Sequence, residues 1–118
     1  MTGRLALAFA VAAVVAAPAV APAASGAPKP RTITVADNYY GPSKLTVRAR
    51  TKLTWRWPGE AGDVHDVKLK SAPRGVKRFH SEPASSGYRF SRTVRTPGLY
   101  RIVCTLHEEM KMTVRVRR

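Results

Sequence analysis

Beyond residue 30 the apolar residues of this chain recur at every second position. In "RTITV" Ile33 and Val35 share one parity, and in "KLTVRA" Leu45, Val47 and Ala49 alternate with Lys44, Thr46 and Arg48. "KLTWRW" repeats the scheme with Leu53, Trp55 and Trp57 before the turn signal "PGEAG". "HDVKL" aligns His65, Val67 and Leu69, "YRFSRTV" runs into the turn "TPG", "LYRIVC" aligns Tyr100, Ile102 and Cys104, and "MTVRV" aligns Met112, Val114 and Val116. Period two is the mark of a strand with one buried and one wet face, and no stretch carries a helical stripe. Seven short strands separated by Gly and Pro turns predict an all-β fold, a small antiparallel sandwich. The longest interruption, "KSAPRGVKRFHSEPASSG", predicts a loop that carries His80 on its exposed surface. Trp55 and Trp57 share the parity of their inward neighbours and read as packing, as does Tyr40 beside the Gly41-Pro42 turn.

The N-terminus breaks the pattern. Leu5 to Ala24 is uncharged and alanine-rich, follows Arg4, and ends in small residues around Ala21 and Ala23, which is the outline of a cleaved secretory signal peptide over residues 1–24. Residues 25–30, "SGAPKP", read as a linker, and 31–118 as the folded domain. Pro18 and Pro22 and the alanine content argue against a retained membrane span, so the mature chain is expected to be exported, periplasmic or at the cell surface, without stable membrane insertion. A lipid-anchored N-terminus would need a cysteine at the cleavage site, and the only cysteine is Cys104. The mature chain, about 94 of 118 residues, must therefore build its core without an internal disulfide.

Charge adds a partner class. Lys and Arg number 21 against 7 Asp and Glu, a formal net charge of +14. Export and the even spread of the basic residues along the strands exclude a nucleic-acid patch; they predict solvated strand faces that steer redox partner proteins with acidic docking surfaces. A monomer is expected.

The candidate chemistry is concentrated in "CTLHEEM", residues 104–110. Cys104 closes a strand on its inward parity, His107 and Met110 follow in a tight loop, and His65 has inward parity on another strand. If the two strands meet at one end of the sandwich, a thiolate and two imidazoles converge. Those are the strong ligands of a trigonal copper site, with a thioether as the weak fourth. A soft thiolate suits Cu(I), imidazoles accept both Cu(I) and Cu(II), and a stiff sheet limits rearrangement between the two states.

With these residues the sequence resembles the cupredoxins, the small blue copper proteins, and within them the amicyanin and plastocyanin-like branch. The resemblance spans "ITVADNYYGPSKLTV", "LTWRW", "HDVKL" and "FSRTVRTPGLYRIVCTLHEEM" to the last strand. It implies a Greek-key sandwich of seven to eight strands holding one copper ion. It maps the metal ligands to His65, Cys104 and His107, with Met110 axial by the amicyanin-like spacing C-x2-H-x2-M. The longer plastocyanin-like spacing would select Met112, which reads instead as a core residue of its strand.

The chain departs from the family at Asp66, where relatives commonly carry an asparagine that ties the ligand loops together. A carboxylate there can accept from Thr105 or from backbone N–H groups but cannot donate. Leu106 replaces a frequent proline, and Glu108 and Glu109 add negative charge beside His107. The implied function is one-electron transfer between redox partners, with copper delivery or sequestration as the alternative. Related domains of multicopper oxidases and nitrite reductases need further histidine clusters, and with two of the three histidines committed no enzyme activity is expected. A Cys-His hydrolase is likewise disfavoured, because an inward thiolate between two imidazoles is disposed to grip a metal.

Overall fold

The computed structural model describes residues 2–3, 6–16 and 26–118. Arg4 and the small residues Ala21 and Ala23 of the expected leader lie outside them. Among the described residues no helix is long and apolar enough to cross a membrane.

Among the described residues eight strands form: β1 (Arg31–Ala36), β2 (Tyr39–Gly41), β3 (Lys44–Arg48), β4 (Thr51–Arg56), β5 (Lys68–Ser71), β6 (Arg89–Val94), β7 (Gly98–Val103) and β8 (Lys111–Arg117). They make two four-stranded sheets, in the orders β2-β1-β4-β6 and β3-β8-β7-β5. Burial alternates residue by residue in β3, β4 and β8, as the period-two pattern requires. The inward residues of both sheets, Ile33, Leu53 and Trp55 from one and Leu69, Ile102 and Val114 from the other among them, form one core cluster. Trp55 is fully buried, between Phe79 and Phe90 at ring-centroid distances of 5.9 and 6.0 Å, and Trp57 packs edge-on against Tyr88. Both tryptophans therefore serve packing.

Three differences from the sequence expectation matter for the site. The sandwich is mixed rather than antiparallel, because β1 pairs with β4 and β3 with β8 in parallel. Alternation is blind to strand direction: the chain leaves β1, forms β2 in the same sheet and β3 in the other, and returns alongside β1, a crossover that makes the pair parallel. The additional strand β2 is joined to β1 by the two-residue turn Asp37-Asn38, in which Asn38 adopts a φ of 71°. Asparagine tolerates that left-handed conformation well, and the turn holds Asp37 at the end of the sandwich.

The third difference concerns the expected strand opening at His65. Regular pairing starts only at Lys68, and His65 lies in an extended segment bridged to Ala84 by hydrogen bonds of 2.9 and 3.0 Å. Alternation fails here, since His65, Asp66 and Val67 are all buried. The long loop between β5 and β6 covers the face that would otherwise leave Asp66 in water.

Candidate metal centre

Cys104 follows directly on β7, and its inward parity buries the thiol. The seven-residue loop to β8 is pinned by two backbone hydrogen bonds, from Cys104 N–H to the Met110 carbonyl (3.0 Å) and from Met110 N–H to the His107 carbonyl (3.1 Å). This tight return turns the His107 ring onto the sulfur, with Nδ1 3.6 Å from Cys104 Sγ. His65 comes from the connection between β4 and β5, and its ring centroid lies 4.7 Å from that of His107. One ligand-capable atom from each of His65, Cys104 and His107 falls within 4.8 Å of the other two. The convergence expected from strand parity is thus present.

The protonation pattern of His65 suits a cation. Its Nε2 lies 2.9 Å from Asp37 Oδ1, and only an N–H can donate to that carboxylate. The tautomer so selected leaves Nδ1 with a free lone pair, and that atom is buried without any hydrogen-bond partner. A buried acceptor normally finds a donor; one left open on a ring that converges with a thiol and a second imidazole has the surroundings of a metal ligand. Hydrogen bonds from His65 and from the Asp63 N–H hold the Asp37 carboxyl below the usual carboxylate range. Gly62 permits this approach, because a Cβ there would stand 2.6 Å from Asp37 Oδ1. The sequence offered no sign of Asp37 beyond an acid in an Asp-Asn turn, which turn chemistry alone explains.

Met110 and Met112 occupy different surroundings. Met110 is fully buried at the end of the pinned loop. Met112 lies on the inward face of β8, where its sulfur accepts the Trp55 indole N–H at 3.2 Å. Asp66 joins the two ligand-bearing segments as its chemistry allows: Oδ1 accepts the Thr105 N–H (2.7 Å) and Oδ2 accepts the Thr105 hydroxyl and the His80 Nε2–H (2.8 Å). Burial alone would raise the Asp66 pKa; the hydrogen bonds from His80 and Thr105 outweigh it and hold the carboxyl below its ordinary value. His80 lies on the exposed loop expected of it, and the fold adds what the sequence did not show, a bridge to Lys68 and a hydrogen bond to Asp66.

Charge is divided by location. All seven acidic residues, Asp37, Glu60, Asp63, Asp66, Glu82, Glu108 and Glu109, lie outside the eight strands, in the connections that carry or adjoin the cluster. Segments 32–43, 57–67, 79–88 and 102–110 contain no Lys or Arg. Tyr39, Val64 and Leu106, the large apolar side chains most exposed within residues 26–118, fall in these same segments.

Residues 31–117 match the family described as copper binding proteins, plastocyanin/azurin family. Among solved structures, an amicyanin variant in its reduced state aligns with a TM-score of 0.64 at 24% identity, over 75% of this chain and 82% of that one. A Sinorhizobium pseudoazurin aligns with a TM-score of 0.64 at 16% identity, over 76% and 75%. The copper-containing nitrite reductase of Thermus scotoductus SA-01 aligns with a TM-score of 0.62 at 24% identity, over 75% of this chain; this chain spans only 22% of the reductase. Among curated proteins none matches. A thiol and two imidazoles gathered at one end of a two-sheet sandwich, within a sequence that matches the family from β1 to β8, place this chain in the plastocyanin/azurin family of copper-binding proteins, as a cupredoxin for one copper ion.

Proposed function

We propose that the chain is an exported one-electron carrier, active as a monomer, that holds copper through His65, Cys104, His107 and Met110. The observation that carries the ligand set is the convergence of Cys104 Sγ with the two imidazoles around the unpartnered Nδ1 of His65. Met110 is preferred to Met112 as the axial ligand because the Met112 sulfur is already engaged by Trp55. Copper supplies the redox couple, cycling between Cu(I) and Cu(II). The protein's part is to hold the donors still: Asp37 fixes the ring of His65, and the pinned 104–110 loop fixes Cys104 against His107. Export is inferred from the leader that the sequence predicts over residues 1–24.

His107 is partly exposed, and Leu106 and Val64 expose apolar surface in the connections at the same end, so a redox partner is read as docking there. The net charge alone suggested a partner with an acidic docking surface. Interactions are screened beyond about 8–10 Å at moderate salt, so charges near the contact outweigh the distant basic strands. The acids around His107, with Asp63 Oδ2 4.0 Å from its Nε2, favour a partner that presents basic groups to this end.

A carrier is preferred to an enzyme because two of the chain's three histidines belong to the cluster itself, and the small copper proteins it resembles, an amicyanin and a pseudoazurin, align over most of their length. Copper delivery is the second reading, favoured by the partial exposure of His107, which gives a metal a short way out. The deciding experiment adds Cu(II) to residues 25–118 and records visible absorption and electron paramagnetic resonance. The expected result is an intense thiolate-to-copper band with narrow copper hyperfine splitting, both lost in Cys104→Ser. Repeated reduction and reoxidation without loss of metal identifies a carrier; transfer of the metal to an acceptor without redox turnover identifies delivery.

A further inference from the structure

His80 lies far from the other two histidines in sequence and outside the cluster of metal-capable side chains, yet its backbone is held firmly. The chain on either side runs antiparallel to residues 67–69, with hydrogen bonds from Leu69 N–H to the Phe79 carbonyl (3.0 Å) and from Ser81 N–H to the Val67 carbonyl (2.8 Å). The Ser81 hydroxyl adds a third tie by accepting the Val67 N–H at 2.8 Å. This makeshift edge strand delivers the His80 ring to Asp66 Oδ2 at 2.8 Å.

Asp66 is where four parts of the molecule meet. Its carboxylate takes both donors of Thr105, in the loop that carries Cys104 and His107; its backbone belongs to the segment that carries His65; its carbonyl accepts the Tyr40 hydroxyl from β2 at 2.6 Å. A buried carboxylate is costly unless its oxygens are saturated with donors. Thr105 places a donor on each oxygen, and His80 adds a ring N–H on Oδ2. His80 can do so neutral, as its Nε2–H tautomer, or charged.

We propose that His80 is a positioning residue of the metal centre: by donating to Asp66 it keeps that carboxylate turned toward Thr105, and so sets the spacing between the His65 segment and the Cys104–His107 loop. The inference rests on the ligand assignment above. It makes the long β5–β6 connection part of the centre's mechanical frame, where an asparagine in place of Asp66 would carry its own donor and need no histidine.

The test has one arm without metal and one with it. In the full metal-free chain, amide hydrogen exchange of Thr105 is compared between the protein and His80→Ala, with Ile102 and Val114 as core references. Loss of one hydrogen bond to a charged group is expected to speed Thr105 exchange by about tenfold or more while the core amides stay unchanged, and His80→Gln, which keeps an N–H donor, should restore part of the protection. In the copper-loaded protein, His80→Ala should shift the thiolate-to-copper band and the hyperfine splitting, again with partial rescue by His80→Gln. Unchanged Thr105 exchange together with unchanged spectra in His80→Ala overturns the proposal. If His80→Ala does not fold, His80→Asn, whose amide is too short to span the same distance, must show the same loosening; protection equal to that of the unaltered protein would overturn it. If copper gives no such band even in the unaltered protein, the ligand reading fails, while the metal-free exchange still decides whether His80 holds the clamp.

Discussion

Two hydrogen-bonded carboxylate–histidine pairs flank the metal centre, and they are built in opposite senses. In Asp37–His65 the two groups are 2.9 Å apart, with the imidazole side chain 2% exposed and the carboxylate 57% exposed. In His80–Asp66 they are 2.8 Å apart, with the imidazole 49% exposed and the carboxylate 5% exposed. The same contact thus serves two purposes, set by which partner is buried. A buried ring with one nitrogen occupied has its other nitrogen to give to a metal. A buried carboxylate with one donor in place has lone pairs left to fasten a neighbouring loop, and here that loop is the one bearing Cys104 and His107.

Removing the buried carboxylate should do the most damage. Asp66→Leu strands the Thr105 N–H and hydroxyl, and is expected to destabilise the metal-free protein by about 2–3 kcal/mol in urea unfolding and to disturb the copper spectrum as well. Asp37→Ala removes a mostly exposed group but takes the acceptor from the buried His65 Nε2–H, so stability should fall less than in Asp66→Leu, whereas copper affinity measured by competition with a chelator should fall by roughly 10–100-fold. Equal losses of stability in the two variants would erase the distinction between the pairs.

Acid should find the same asymmetry. The folded-state pKa of Asp66 is depressed, so its contribution is present above the ordinary carboxylate value of 3.8 and is lost as pH falls through the lower folded value, where the native clamp takes up its proton. The melting temperature of the protein should therefore drop more steeply below about pH 4 than that of Asp66→Asn. The smallest effect is expected from the exposed acids next to His107. Glu108→Gln with Glu109→Gln should raise the reduction potential on the order of 10 mV per charge, and should slow oxidation of the reduced protein by a cationic metal complex at low salt. A lower potential, or a faster reaction with that complex, would contradict the assignment of a basic contact surface to the partner.

The local half of the cluster was legible because it is compressed into one loop: Cys104 and His107 stand three residues apart, and the parity of "LYRIVC" points the thiol inward. His65 could be read from parity as well, although it lies in a bridge rather than a strand. Asp37 and His80 could not, since neither belongs to a pattern that includes its partner; each meets that partner through loop geometry, across 28 and 14 residues. The gathering of acids at one end was visible as stretches without Lys or Arg, but their common location needed the fold.

Alternation and spacing along the chain fixed the strands, the wet and dry faces, and the thiol and imidazoles that converge at one end, because side-chain direction along a strand and the reach of a tight loop are local properties of the backbone. Tertiary structure decided the parallel pairings, the partner that frees Nδ1 of His65, and the burial of Asp66 beneath the β5–β6 connection. Those depend on which segments cross between sheets and which loop covers which, and a residue's own neighbours in the chain exert no force that specifies either.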